Sequence, residues 1–416
     1  MKNYLIVILI ILFSRGTINS QNIHYNKRVT MGADRLITEY LYLLKGKRIG
    51  IVTNRTGLLS NGKYLVDSLY NIKGLRITAL FGPEHGIRGN APAGKSISSG
   101  VDPKTKIPIY SLYGKNKKPT PEMLKNVDLL LYDIQDVGAR FYTYISTLYY
   151  VLQAAAENHI PVIVLDRPDP INGITIDGPI RQKDLRSFVG IVPIPIRYGM
   201  TPGELAQMYV GEGWLREKTK PNLTVIKMKN WKRNYYYDNF KLQWVAPSPN
   251  IPDLETAIVY PGACLIEGTN ISEGRGTHHP FLTIGAPFIN SNKLIQELMK
   301  LKIKGVEFEP INFIPVNIPT MSSNPKYKDI KCNGIFIKIT DRKKFRSVRF
   351  GIKLVYAIHK LYPNKFKFRN KDFDLLSGDK KIREDILNNK HPDFIFNNWK
   401  NGLKSFIHKR KKYLLY

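Results

Sequence analysis

The sequence predicts an α/β chain of two domains, an open parallel sheet covered on both faces followed by a smaller α+β unit. Three observations carry this. At 416 residues the chain exceeds what one core usually organises. Its first half alternates short, continuously apolar runs with helical patterns, as strands buried on both faces do. Past a proline-punctuated stretch at 245–257 that alternation stops.

Taken in order, GKRIGIVTN (46–54) is the first strand, and residues 60–73 place Leu65, Leu69 and Ile72 on one helical face. GLRITALFG (74–82) is the second strand and IPIYSLYG (107–114) the third. Thr120 as N-cap with Pro121 after it starts a short helix over 119–126. VDLLLYDIQDVG (127–138) holds the fourth strand, 143–159 a helix, and PVIVLDRPDP (161–170) opens with the fifth strand. TPGELAQMYV (201–210) is a helix with a capping box from Thr201 to Glu204, and LTVIKMKNW (223–231) a further strand. The second domain is expected to hold a Gly-rich loop (267–276), strands near 305–318 and 333–340, and helices near 292–302, 343–361, 379–389 and 392–410. The expected limits are 28–250 for a Rossmann-like first domain and 251–416 for the second.

Residues 1–20 read as an export signal. Lys2 precedes the apolar run Tyr4–Phe13, and the small residues Ser14, Gly16, Thr17 and Ser20 follow. The run is short for a membrane span, so the expected product is periplasmic or extracellular, without stable membrane insertion. The two cysteines, Cys264 and Cys332, are too few for a disulfide framework and read as buried small hydrophobes. The formal net charge of +31 is spread along the chain, beside Asn and Ile, so no nucleic-acid footprint is read from it.

Each strand of the first domain ends in polar residues: Asn54 after the first, Glu84 and His85 after the second, Ser111–Gly114 after the third. Asp133, Gln135, Asp136, Arg140, Tyr142 and Tyr144 follow the fourth, and Asp166, Arg167 and Asp169 the fifth. Open parallel sheets bind ligands outside the carboxyl ends of their strands, so these clusters converge on one rim by topology. GNAPAGKS (89–96) matches a P-loop, but Gly100, Pro103 and Pro108 forbid the helix such a loop must open. Glu84 instead sits in a Gly/Pro-bounded turn, where a carboxyl group can act as general acid or base or simply cap the next N–H. His85 and Arg88 beside it suit substrate contact. Arg140 suits bidentate capture of a carboxylate, and the tyrosines suit a sugar face. In the second domain Glu267, Glu273 and Arg275 stand among glycines that permit close approach of a ligand. His278–His279, adjacent in sequence, point two ways in a regular element and make a poor metal pair.

Several long segments occur in order: FGPEHGIRG, SLYG, DIQDVGARFYTYIST, LDRPDPINGI, RSFVGIVPIPIRYGMTPGELA, WVAPSPNIP, VYPGACLIEGTNISEGRGT and a terminal YLLY. Together they resemble the NamZ family of exo-β-N-acetylmuramidases across about residues 30–416. The departures are a strongly basic surface and Asn/Lys-rich connectors. The resemblance implies a glycoside hydrolase that releases β-1,4-linked N-acetylmuramic acid from the non-reducing ends of peptidoglycan fragments. Its substrates would be muropeptides or MurNAc–GlcNAc disaccharides, met in a cleft between a Rossmann-like and an auxiliary domain, with no metal, nucleotide or other cofactor. On that reading Glu84 is the general acid, and Asp136 or Glu273 the second catalytic group, unless the substrate's acetamido group serves as nucleophile. Arg140 or Arg275 would hold the lactyl carboxylate. Asn54, His85, Arg88, Asp133, Gln135, Tyr142, Tyr144 and Glu267 would complete the binding surface. A non-catalytic muropeptide-binding protein and a P-loop nucleotide hydrolase are the alternatives.

Overall fold

A computed structural model describes residues 28–84, 86–88, 100–215 and 220–416. The segment read as an export signal, the P-loop match at 89–96 and His85 lie outside the described residues. The first domain is built on seven strands: β1 (Arg48–Thr53), β2 (Arg76–Gly82), β3 (Gly100–Val101), β4 (Pro108–Ser111), β5 (Leu129–Asp133), β6 (Val162–Leu165) and β7 (Leu223–Ile226). Their spatial order is β3-β4-β2-β1-β5-β6-β7. All pairs are parallel except β3 with β4. Leaving aside the edge strand β3, this is the doubly wound order in which the chain builds outward from β1, first one way and then the other. The switch point therefore lies between β1 and β5, where Thr53 stands opposite Asp133.

Period-two burial shows why these strands are apolar throughout. Leu130 and Tyr132 of β5 and Val162 and Val164 of β6 enter one core, while Leu129, Leu131, Ile163 and Leu165 enter the other. Among the described residues six α-helices accompany the sheet: α1 (Gly32–Glu39), α2 (Leu65–Tyr70), α3 (Pro121–Leu124), α4 (Tyr144–Glu157), α5 (Pro202–Gly211) and α6 (Leu254–Ala263). The capping box at α5 is present, with Thr201 accepting from Glu204 N and Glu204 accepting from Thr201 N at 3.0 Å. Inside the expected helix over 60–73, only Leu65–Tyr70 is helical.

The second unit is a three-stranded antiparallel sheet, β8 (Thr283–Ala286), β9 (Val306–Phe313) and β10 (Cys332–Ile339), with β10 central. Its helices are α7 (Ser291–Lys300), α8 (Ser347–Leu361), α9 (Asn370–Ser377), α10 (Lys380–Leu387), α11 (Pro392–Asn398) and α12 (Lys400–Arg410). The segment 392–410, expected as one helix, is two, broken at Trp399. α4, α6 and α8 share one continuous core, so the two units are packed together rather than strung. Cys264 and Cys332 are buried and unbonded. Among the described residues no helix is long and apolar enough to cross a membrane.

The tail closes the structure. Arg410 donates to the carbonyls of Gly173 and Gly199, at 3.1 and 2.6 Å. Tyr413 donates to Glu212 at 2.8 Å, Leu415 N to Glu204 at 2.9 Å, and the Tyr416 hydroxyl to Asp166 at 2.7 Å.

Candidate active site

Glu84 follows β2 in a turn closed by Gly86 N donating to Pro83 O at 3.0 Å. Gly86 has φ +72°, a backbone conformation glycine adopts at no steric cost. Leu112 N donates to Gly82 O at 2.8 Å, which fixes the segment after β4 alongside this turn. Tyr113 of that segment hydrogen-bonds Glu84; burial and the Glu84 charge together push its phenol up, while Arg275 pulls it down. Tyr113 is thus near both an acid of the first domain and a cation of the second. Thr143, the N-cap of α4, donates to Glu84 Oε2 at 3.5 Å, and the Glu84 charge also raises Tyr142 and Tyr144.

The tyrosines carry the wall across to the second domain. Tyr142 packs edge-on against Tyr144 at 4.8 Å and Tyr260 at 5.9 Å, and Tyr260 against Phe281 at 4.9 Å. Arg275 lies over the Phe281 ring and grips Glu267 Oε1 through Nε and Nη2 at 3.0 and 2.7 Å. Glu273 lies behind, 4% exposed, with Lys326 Nζ at 3.0 Å and Arg275 Nε at 3.5 Å. Two carboxylates and two cations thus neutralise one another in a partly dry setting, which only close geometry makes tolerable.

The other carboxylates of the rim are buried. Asp133 is fully buried and binds Arg167 Nε and Nη2 at 2.6 and 3.0 Å. Asp136, expected as a candidate second catalytic group, is 4% exposed; its Oδ2 accepts from the Tyr198 hydroxyl and from Gly138 N at 2.8 Å. Burial raises its pKa to about 6, and its Oδ2 bonds hold the turn before α4. Asp166 and Asp169 are buried too, each lifted to about 7 by burial. Of the strand-end carboxylates named from the sequence, Glu84 alone is half-exposed.

Two expected binding residues are placed otherwise. Arg140 is fully buried, and Nη1 donates to the carbonyls of Pro179 and Ile194, both at 3.0 Å. Its Nη2 donates to Leu376 and Ser377, both at 2.8 Å, so its fork staples the end of α9 to the first domain. The next residue is Gly378, with φ +76°, where a Cβ would stand 2.4 Å from Arg140 Nη2. Both terminal nitrogens of Arg140 are thus committed to carbonyls, and its Nε is buried, so no fork is presented to a lactyl carboxylate. Arg88 is paired with Asp67 and Asp102, each at 3.0 Å, on the flank of α2. Gln135 Nε2 holds the carbonyls of Asp136 and Pro168 at 2.8 and 2.7 Å, which fixes the rim backbone. Asn54 Oδ1 accepts from Thr56 Oγ1 at 2.6 Å, and its side chain adjoins the Tyr144 hydroxyl. That hydroxyl donates to Pro247 O at 2.6 Å. Among the described residues no cluster of three metal-ligating side chains occurs.

Sequence reasoning passed over Tyr113, Thr143, Tyr260 and Lys326. Tyr113 follows β4 within SLYG, one of the converging clusters, so its signal was present. Tyr260 and Lys326 come from segments whose approach to the rim is set by tertiary packing alone.

The family model described as exo-β-N-acetylmuramidase NamZ, N-terminal, matches residues 49–255, and its C-terminal counterpart matches residues 258–416. The peptidoglycan β-N-acetylmuramidase NamZ of Bacillus subtilis (strain 168) is 49% identical over 390 residues, covering 94% of this chain and 92% of its own. Crystal structures of two DUF1343 family proteins from Bacteroides fragilis NCTC 9343 superpose with TM-scores of 0.86 and 0.76, at 37% and 36% identity. The first covers 94% of this chain and the second 93%, each matched over 99% of its own length. With both halves of the family model matched in order and half the residues of a curated relative shared, the chain belongs to the NamZ family of exo-β-N-acetylmuramidases.

Proposed function

We propose that Glu84 is the proton donor in the exo-acting hydrolysis of peptidoglycan ends that membership of the NamZ family gives this chain. The observation that carries the assignment is its setting: a half-exposed carboxylate at the sheet's carboxyl edge, bonded by Tyr113, on a rim whose other carboxylates are buried. In the reaction Glu84 protonates the glycosidic oxygen as the C1–O bond breaks and positive charge develops on the sugar ring. Deprotonated, it then takes a proton from the water that attacks C1, and so regains its starting form. Tyr113 and Thr143 orient the carboxyl group. The Glu267–Arg275 pair forms the opposite wall, where hydroxyl and amide groups of the sugar find a donor and an acceptor.

Hydrolysis of an aryl β-N-acetylmuraminide, set beside the matching N-acetylglucosaminide, tests the activity; free N-acetylmuramic acid is the expected product. Glu84→Gln, which keeps shape and removes the transferable proton, should lower kcat by about 10²–10⁴ with the fold unchanged by circular dichroism. Near-full activity in that variant would place the acid elsewhere.

A further inference from the structure

An aromatic strip runs outward from Glu84 along the first domain. Tyr113, which hydrogen-bonds Glu84, has its ring 6.4 Å from that of Phe188. Phe188 in turn lies 6.2 Å from Tyr150, the two rings 22° from parallel. All three are half-exposed. Tyr113 and Phe188 belong to none of the hydrophobic cores among the described residues, so packing of the interior does not account for their apolar faces. A lone exposed ring needs no explanation, but three in a row that begin at a catalytic carboxylate do.

Phe188 is held in place. It stands at the tip of a turn in which Gly190 N donates to Ser187 O at 3.1 Å and Ser187 N to Gly190 O at 3.4 Å. Ser146, buried in the first turn of α4, donates through Oγ to Phe188 O at 2.6 Å. Ser146 N donates to Thr143 O at 3.1 Å, and Thr143 is the residue that donates to Glu84. The loop that carries the ring is thus tied to the same helix turn as the acid. On its flank Arg186 lies over the Tyr149 ring and donates to the Tyr149 hydroxyl at 2.8 Å. Lys117 Nζ stands 4.7 Å from the centre of the Phe188 ring, an exposed donor on a long, flexible stem.

A half-exposed ring fixed in orientation, with a mobile donor beside it, suits the C–H-lined face of a neutral pyranose, whose hydroxyl and acetamido oxygens take the donor. The position of the strip gives the side of the bond. A proton donor stands at the glycosidic oxygen and so marks the boundary between the cleaved sugar and its leaving group. The Glu267–Arg275 pair flanks the cleaved sugar from the second domain. The ring contacts of Phe188, by contrast, all lie in the first domain, on the acid's own side and open to solvent. An exo-acting site encloses the terminal sugar and leaves this side open for the rest of the chain. We propose that Phe188, with Tyr113 and Tyr150, is the platform for the sugar on the leaving-group side of the scissile bond, a neutral N-acetylhexosamine. The inference rests on the muramidase reading and adds to it the subsite for the next residue of the glycan.

The test uses the full-length enzyme and two β-glycosides of N-acetylmuramic acid whose leaving groups are both alkoxides: the methyl glycoside and the disaccharide with N-acetylglucosamine. Only the disaccharide can cover the platform, so wild type should show the higher kcat/KM for it. Phe188→Ala should lower the disaccharide-to-methyl ratio of kcat/KM about tenfold, and Phe188→Tyr, which keeps the ring, should restore most of it. A ring that merely supports Tyr113 and Glu84 slows both substrates alike; an unchanged ratio in the alanine variant therefore overturns the proposal. So does a tyrosine variant whose ratio falls as far as that of alanine. Wild-type enzyme that cleaves both glycosides equally well removes the platform alone. Wild-type enzyme that cleaves neither removes the muramidase reading itself, and the platform with it.

Discussion

Arg140 gives the sharpest quantitative test, because its sequence invites a ligand-binding role and its surroundings assign a structural one. Replace it with methionine, which fills similar volume without donors. Four charge-assisted hydrogen bonds are lost, to Pro179, Ile194, Leu376 and Ser377. At ~1.5–3 kcal/mol each they contribute ~6–12 kcal/mol. Against that stands the cost of burying the charge. Burial pulls the Arg140 pKa from 12.5 to about 9, which corresponds to ~5 kcal/mol. The net contribution is then ~1–7 kcal/mol, and the carbonyls left without donors place the expected loss near ~4 kcal/mol. Domains have only ~5–15 kcal/mol in all, so the urea midpoint should fall by about a quarter or more. Arg140→Lys keeps the charge but not the planar fork, and should lose about half as much. In both variants KM for the muraminide should stay within about threefold of wild type, any loss of activity per folded enzyme falling on kcat as the walls loosen. A methionine variant with unchanged urea midpoint and a tenfold higher KM for the muraminide would refute the structural assignment and restore Arg140 to the substrate.

Tyr113→Phe removes the hydroxyl that bonds Glu84 but keeps the ring; kcat should fall about tenfold and the limb of its pH profile that reports the acid should move, whereas a purely structural role would leave that limb in place. Asp169 gives a pH test: its folded-state pKa is raised from 3.8 to about 7, so the native state holds a proton that the unfolded state has released between those values. Stability from this group is therefore greatest at low pH and falls as pH rises toward 7. From pH 5 to 8 wild type should lose ~2–3 kcal/mol through Asp169, and Asp169→Asn, already neutral, should show a urea midpoint flatter by that amount. Parallel curves for the two proteins would exclude Asp169 as the source.

The sequence disclosed the parallel sheet because its strands have both faces buried, and residues such as Leu129–Tyr132 need no alternation to be read. It also disclosed the caps of α3 and α5, since Thr-Pro at an N-terminus has a local cause. α6 escaped because Pro247, Pro249 and Pro252 read as a rigid connector through residue 257. Yet Asp253 directly after them accepts from Thr256 N at 2.7 Å and starts a helix. β3 and β8 are too short, at 2 and 4 residues, to rise above background. At the site, strand ends pointed to the rim, and Glu84 with its turn was readable there. Arg140 misled for a physical reason: fully buried arginines are rare, so a charged residue among polar neighbours reads as solvent- or ligand-facing.

The buried carboxylates of the rim also explain why the last residues of the chain belong to the site's architecture. Asp166 directly follows β6, and in the interior it needs donors. Thr201 Oγ1 and Gly203 N supply two, at 2.8 and 2.7 Å, and the Tyr416 hydroxyl supplies the third. Glu204, also buried, is met by Arg233 and Leu415 N. The C-terminal residues therefore satisfy acids at the carboxyl edge of the first sheet, while Arg140 joins the same domains from the other side of the chain's path. Both ties anchor second-domain segments to first-domain backbone or rim. The wall that carries Glu267 and Arg275 is thereby held against the one that carries Glu84 and Tyr113. Catalytic geometry tolerates displacements well under an ångström, so ties of this kind, remote from the reacting bond, hold the two walls in register.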